Sequence, residues 1–392
     1  MRRILLLIPS LADAGGTERV VHSLSALLAD MDHKVFQATF DSPEVQRNFK
    51  SIVPLYQLGP FPRLPISLRP FTYMIAARRL FLLKKKLDID VTISNLWGAD
   101  LISILSGGSD RKIALCHTNV VGNPANRMML RFRPLVAAIY RRFDRVVAVS
   151  ETLASELKIL YRLPPVRIEY INNFVDRPEA ISTLPDDDVQ RFVWCGRLSP
   201  EKNVDGLLLA WKSFAEGLTG VQLILVGDGP LRHDLFQLAA SLGLRIGTAV
   251  NDSCAQVIFT GKVKEPATYM LGACALLLSS YSEGLPMVVL EALSLGLPVL
   301  SSDCNAGGVR TVLLGYGSCN PDRKSAEITP AGMLLPVPRS DVPETLLLWQ
   351  HALVQVLTDR VQREEWQRGA LERSQHFSSQ GVRSRWLQVL DF

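Results

Sequence analysis

The sequence predicts an α/β protein made of two doubly wound, Rossmann-like parallel-sheet domains in tandem, and three observations carry that reading. Apolar, β-rich runs recur between amphipathic helical patterns. The runs are apolar on both faces, as strands are when helices cover both sides of a parallel sheet. The alternation stops once, over residues 174–190, and then restarts. A chain of 392 residues, 47% of them apolar, has material for two cores at the usual ~100–200 residues per domain.

In the first half the strands are ILLLI (4–8), KVFQATF (34–40), DVTISNL (90–96), KIALCHT (112–118), VVAVS (146–150) and RIEYINN (167–173), with ERVVHSLSALLA (18–29) as the first helix. The segment FVDRPEAISTLPDDDVQ, with two prolines and an acidic cluster, breaks the pattern. Strands resume with RFVWCG (191–196), VQLILVG (221–227), VIFTG (257–261), ALLLSS (275–280) and PVLSS (298–302). Between the first two, Val204, Leu207, Leu208, Trp211 and Phe214 form one helical stripe. The expected boundaries are a first domain over 1–177, a linker over 178–190, a second domain over 191–370, and a last helix over 371–392 that packs back on the first domain. Such domains facing each other form an interdomain cleft lined by the carboxyl ends of both sheets, where these folds bind ligands.

Composition excludes several classes. No apolar run approaches the ~18 residues needed to span a bilayer, and the start, MRRILLLIPSLADAGG, has no cleavage site after a long apolar stretch, so a cytoplasmic chain is expected. Six cysteines lack CxxC spacing, and Cys116, Cys195 and Cys274 lie in strand-like runs as buried thiols. Six histidines show no metal-ligand pairing. Residues 1–150 hold 21 Lys and Arg against 11 Asp and Glu, a net +10 in a chain of net +5, so the front half faces something anionic.

The stretch YSEGLPMVVLEALSLGLP (281–298) sets Glu283 and Glu291 around an apolar run. In one continuous helix they would stand about 80° and ~12 Å apart. With Gly284 as a breaker, the helix starts at Leu285 or Pro286; Glu283 is then on a loop, and the unpaired amides of the first turn point at an anion between the two carboxylates. In CGRLSPEKN (195–203), Arg197 and Lys202 can converge on one diphosphate while Gly196 keeps the backbone close. In PSLADAGGTERVV, Gly15 and Gly16 precede a helix opening at Thr17-Glu18, and the spacing is not the G-x-G-x-x-G of dinucleotide sites. His117 ends a strand and can donate to a ligand hydroxyl or carbonyl; Gly261-Lys262 and Gly227-Asp228-Gly229 mark further strand-end turns. Each has a plain structural alternative: loop geometry, a solvated ion pair or a satisfied histidine.

Taken together, GGTERVV, CGRLSPEKN, LILVGDGPLR, VIFTGKV and SEGLPMVVLEALSLGLPV resemble the retaining glycosyltransferases of family 4 (glycosyl transferases group 1), of the GT-B fold and the bacterial surface-polysaccharide type, over most of 1–310. The resemblance implies that Arg197 and Lys202 hold the donor diphosphate, that Glu283 binds hydroxyls of the donor sugar, and that Glu291 binds the ribose. It implies that Gly284, Leu285, Pro286, Met287 and Val288 supply backbone amides, that Gly16 lies against the diphosphate, and that His117 contacts the transferred sugar. Gly196, Gly261 and Lys262 complete the expected donor site. No cofactor or metal is expected: the family works without a divalent cation, and Asp88-Ile89-Asp90 precedes a strand instead of following one. The chain departs from the family after PVLSSDCNAGG, where a proline and an acidic residue are common and Gly308-Val309-Arg310 stand here; the polar loop 315–331 is also longer than minimal.

The expected reaction moves a hexose or N-acetylhexosamine from a nucleoside-diphosphate sugar, UDP-sugar before GDP-mannose, to a saccharide or lipid-linked saccharide acceptor in lipopolysaccharide, O-antigen, capsule or exopolysaccharide synthesis. Two basic apolar segments, 78–86 and 127–142, suit peripheral contact with an anionic inner membrane at its cytoplasmic face. No stacking platform accompanies the charge, so nucleic acid is not an expected partner. A nucleotide-sugar epimerase and a non-catalytic nucleotide-sugar-binding subunit are the alternatives.

Overall fold

The computed structural model describes residues 1–11, 15–41, 52–59, 69–118, 120, 127–178, 187–305, 307–315 and 319–391. Residues 179–186 of the expected linker and 316–318 of the polar loop lie outside these. The chain forms two compact units, Met1–Phe174 with Ser379–Phe392, and Val175–Ser378.

The first unit holds β1 (Arg3–Ile8), β2 (Lys34–Thr39), β3 (Leu55–Gln57), β4 (Val91–Asn95), β5 (Arg111–Cys116), β6 (Arg145–Ala148) and β7 (Ile168–Tyr170). Their order is β3-β2-β1-β4-β5-β6-β7, every pairing parallel. Ile4 to Ile8 are buried without a break, as a strand covered on both faces requires. Asp90 accepts from Arg3 N (2.7 Å) and Asp88 pairs with the Arg3 guanidinium (3.3 Å), so both aspartates hold the amino end of β1. The helix Ser379–Asp391 joins this unit by burying Val382, Trp386, Val389 and Leu390. Arg111 Nη1 donates to Leu390 O at 2.7 Å, Arg385 lies 4.2 Å from the Tyr170 ring, and Arg383 pairs with Asp30.

The second unit holds β8 (Gln190–Cys195), β9 (Val221–Val226), β10 (Ile246–Gly247), β11 (Val257–Gly261), β12 (Ala275–Leu278), β13 (Val299–Ser302), β14 (Glu327–Thr329) and β15 (Gly332–Leu335). The order is β10-β11-β9-β8-β12-β13-β15-β14. Only β14 is antiparallel, which corrects the reading of 315–331 as a loop: Pro330-Ala331 is too short a connection for anything but a hairpin. Phe192, Trp194, Trp211, Phe214, Trp349 and Trp366 anchor the core, and the stripe from Val204 to Phe214 is buried as its spacing requires.

Beside the carboxyl ends of β4 and β5 the first unit contains a polar cluster that the sequence did not announce. Asp100 is buried and accepts from Ser94 Oγ (2.6 Å) and Tyr140 OH (3.0 Å), while Cys116 Sγ contacts Tyr140 OH at 3.8 Å. Burial outweighs both hydrogen bonds and lifts the Asp100 carboxyl to about 7. A raised carboxyl favours the protonated folded state, so its contribution is full below the ordinary carboxylate range near pH 4 and is lost as pH rises through about 7. Replacing Asp100 by Asn removes this loss. The melting temperature of Asp100→Asn relative to wild type should therefore climb between about pH 4 and about pH 7 and hold above that. A difference independent of pH would refute the buried titration.

Candidate functional site

Each sheet is built outward in both directions from a central pair, β1 and β4 in the first and β8 and β12 in the second, and a doubly wound sheet opens its crevice at such a point. In the second unit Arg197 and Lys202 follow β8 while Glu283 follows β12. The turn Pro200–Lys202 ends on Asn203, whose left-handed backbone (φ 50°) is stabilised by its side chain, which donates to Ser279 O (3.1 Å) and Pro338 O (2.9 Å). That turn aims Lys202 across the crevice, and Nζ donates to Glu283 Oε1 at 2.7 Å. Ser280 Oγ donates to the same oxygen at 2.6 Å. Both contacts fall on Oε1, and Oε2 makes none among the described residues. Glu283 is 8% exposed and Lys202 23%. Burial works against the lysine charge, but Glu283 and then Glu201 outweigh it and hold the ammonium above its ordinary range. The backbone secures the glutamate too: Glu283 N donates to Asn305 O (3.2 Å) and Asn305 N to Tyr281 O (3.1 Å).

The turns after β8, β9 and β11 are laced side by side. Gly196 N donates to Val226 O, Leu198 N to Asp228 O and Gly227 N to Gly261 O, each at 3.0 Å. Gly227 has φ 139°, and a Cβ there would overlap the Gly196 carbonyl oxygen. Cations stand along this glycine floor: Arg197 and Lys262 are exposed, and Arg232 lies against Gly261 and pairs with Asp228 at 3.6 Å. The Arg197 guanidinium has no side-chain partner among the described residues. This edge suits a diphosphate.

The helix after Glu283 runs Met287–Ser294 and contains Glu291, so it starts later than expected and Pro286 (ψ 115°) is the cap, not the first helical residue. Its extended ψ is the physical reason: the chain leaves Leu285 and Pro286 before it turns helical. Leu285, Pro286 and Met287 are buried, Gly284 is half-buried, and Val288 and Glu291, three apart, share the half-buried face.

In the first unit the helix Gly16–Asp30 begins at Gly16, which is exposed, and the Glu18 carboxylate lies over Gly15, so an acid already occupies this helix start. His117 is buried at the end of β5, with Nε2 2.9 Å from Asn95 Oδ1. Asn95 Nδ2 donates to Leu7 O (3.2 Å), which leaves Oδ1 as acceptor and assigns the imidazole proton to Nε2. Nδ1 is buried without a partner among the described residues, and burial lowers the imidazole to about 4. The expected donor is thus a neutral acceptor, because its one N–H is spent on Asn95.

Residues 14–178 match the model of Glycosyltransferase Family 4 and residues 177–319 that of Glycosyl transferases group 1. The chain belongs to the family 4 glycosyltransferases. The amylovoran biosynthesis glycosyltransferase AmsD of Erwinia amylovora is 26% identical over 78% of this chain and 82% of its own. A Campylobacter jejuni transferase named for adding α-1,4-N-acetyl-D-galactosamine to a saccharide on diphospho-undecaprenol is 26% identical over 75% and 77%. Anabaena HepE, solved with UDP-glucose, has the same fold with a TM-score of 0.74 at 17% identity, each chain covered in full.

In this glycosyltransferase the fold is two parallel-sheet α/β domains of the GT-B type. Sequence reasoning named Lys202 and Glu283 separately but missed that they pair, and it missed Ser280, Asn203, Asn305 and Arg232. Arg232 and Asn203 carried a signal, as the last residues of LILVGDGPLR and CGRLSPEKN.

The two basic segments need correction. On the helix Arg69–Leu87, Phe71, Met74, Ile75, Phe81 and Leu82 are exposed with Arg78, Lys85 and Lys86, opposite the buried Ala76, Ala77 and Leu80. Lys84 is not on that surface: Asp110, 2.7 Å away, draws it inside. In the second segment Arg131, Phe132, Arg133 and Leu135 are exposed, whereas Val136, Ala137, Ile139 and Tyr140 face the core.

Breaking one side of a buried pair leaves a charge without compensation. Lys202→Met should cost about 2–3 kcal/mol in denaturant unfolding, and Lys202→Met/Glu283→Leu should recover most of that. Losses that simply add in the double variant would show that the pair is not energetically coupled.

Proposed function

We propose that this glycosyltransferase is retaining and metal-independent, and moves a hexose or N-acetylhexosamine from a nucleoside-diphosphate sugar, UDP-sugar before GDP-mannose, to a saccharide or lipid-linked saccharide in bacterial surface-polysaccharide synthesis. The carrying observation is the Lys202–Glu283 pair at the reversal point of the second sheet, with the exposed Arg197, which has no side-chain partner among the described residues, on the same β-to-α turn. The names of the Erwinia and Campylobacter relatives support the acceptor class, and the UDP-glucose bound by HepE supports the donor.

In this reading Arg197, Lys202 and the first amides of Met287–Ser294 stabilise the charge growing on the leaving diphosphate. Glu283, with Oε1 already engaged, offers Oε2 to sugar hydroxyls, and Glu291 faces the ribose. The His117 Nδ1 accepts from a sugar hydroxyl. A carboxylate clamped by an ammonium at 2.7 Å is a poor nucleophile, which favours same-face attack with the leaving phosphate taking the acceptor proton. The exposed apolar-basic face of Arg69–Leu87, with Arg131 to Leu135, rests on the anionic cytoplasmic face of the inner membrane, where each basic residue adds roughly 1 kcal/mol.

A thermal-shift titration with UDP, GDP and their sugar conjugates tests the donor site. At 100 times its dissociation constant the right nucleotide should add about 2.7 kcal/mol, unchanged by EDTA, and Glu283→Ala should lower transfer at least ~100-fold. Full activity in that variant would sink the assignment, and conversion of donor alone to an isomer would indicate an epimerase. For the surface, Phe81→Glu/Leu82→Glu should abolish co-sedimentation with phosphatidylglycerol vesicles without altering the melting temperature. Undiminished sedimentation would exclude this face as the contact.

A further inference from the structure

We infer that Arg310 is a positioning residue that fixes Glu283 from behind, through Asp303 on one side and Gly308 on the other. The inference rests on the reading of Glu283 as the residue that holds the donor sugar.

Asp303 follows β13 and is 1% exposed. Arg310, on the helix Gly308–Leu314, grips it with a two-point fork, Nε to Oδ1 at 3.1 Å and Nη2 to Oδ2 at 2.6 Å. Arg323 Nη1 (3.4 Å) and Asn320 N (3.0 Å) donate to the same Oδ2. Glu327 of β14 closes the ring, accepting from Arg310 Nη2 (2.6 Å) and Arg323 Nη2 (2.8 Å). Two arginines and two carboxylates thus neutralise one another, which keeps Arg310 charged and tethers the segment 320–327 to the end of β13.

The ring reaches Glu283 by two routes. Two residues after Asp303, Asn305 exchanges backbone hydrogen bonds with Tyr281 and Glu283, so the strap 303–305 extends the sheet against the loop that bears the glutamate. At the start of the arginine's own helix, Gly308 lies so close that a Cβ would overlap the Gly284 carbonyl oxygen. Two of the surfaces that confine 281–284 are therefore held by one guanidinium; the turn Pro200–Lys202 holds a third, through Tyr281 N to Glu201 O (2.9 Å) and Lys202 to Glu283. Lysine carries the charge but not the fork, so it holds the strap less well.

Hydrogen exchange by mass spectrometry on the full chain tests this without a ligand. In Arg310→Gln, peptides covering 281–285 should exchange roughly tenfold faster than in wild type, while β8 and β9 are unchanged and Arg310→Lys falls between. Unaltered exchange at 281–285, or equal acceleration across the whole unit, would overturn the inference. If Arg310→Gln does not fold, Asp303→Asn/Arg310→Gln removes the stranded carboxylate and carries the same comparison. With UDP and UDP-glucose as probes, Arg310→Gln should weaken UDP-glucose and leave UDP unchanged; equal weakening of both would reject positioning of the sugar end. Should wild type bind neither probe, the donor reading fails, and the exchange result alone decides the clamp.

Discussion

Parallel pairing is the constraint from which the rest follows. A strand paired in parallel delivers its chain at the same edge as its neighbour, so every β-to-α turn of one sheet is gathered on one side. Reversal of the strand order at β1 and at β8 then parts the helices and exposes the turns on either side. Lys202 and Glu283, 81 positions apart, meet at 2.7 Å because β8 and β12 are neighbours and both end there. An antiparallel arrangement would have put them at opposite ends.

Within that edge, charge is divided between two tasks. Glu283 is nearly buried and needs Lys202 to be tolerated as an anion, and Lys202 is held charged by the same contact. Arg197 stands exposed on the same turn with no side-chain partner among the described residues, where the glycine-bearing turns after β8, β9 and β11 are laced by backbone hydrogen bonds. A paired cation keeps the site folded; an unpaired one is free to meet an anion. The two basic residues five apart in CGRLSPEKN thus stand in different surroundings, Lys202 tied to Glu283 and Arg197 open to solvent.

The legible part of this chain was whatever depends on local pattern. Runs such as Ile4 to Ile8 and Val221 to Val226 announce buried strands because both faces are apolar, and the helical stripe from Val204 to Phe214 announces its core face. Three features were illegible for a common reason. The strand β3 is three half-buried residues, too short for any period. Lys84 reads as one more surface cation until Asp110, 26 residues later, folds beside it. Asp100 and Tyr140 meet across 40 residues of chain, and nothing local marks either as half of a buried pair. In the site, residue identity named Glu283 and Lys202, but their bond, and the strap at Asn305 behind it, exist only once the strands are ordered.

In the proposed reaction His117 matters through what it is unable to do. Its one proton sits on Nε2, committed to Asn95, and burial keeps the ring neutral down to about pH 4. Such a group has no proton to give at neutral pH, and as a bare acceptor it can only orient a hydroxyl. Glu283 is equally constrained, since an ammonium and a hydroxyl already share its Oε1. In the proposed transfer neither group is therefore assigned proton shuttling or attack on carbon, and the acceptor's proton goes to the departing phosphate, whose oxygens gain basicity as the bond breaks. In that proposal the cations at the carboxyl ends of the second sheet, Arg197 foremost, stabilise the departing charge.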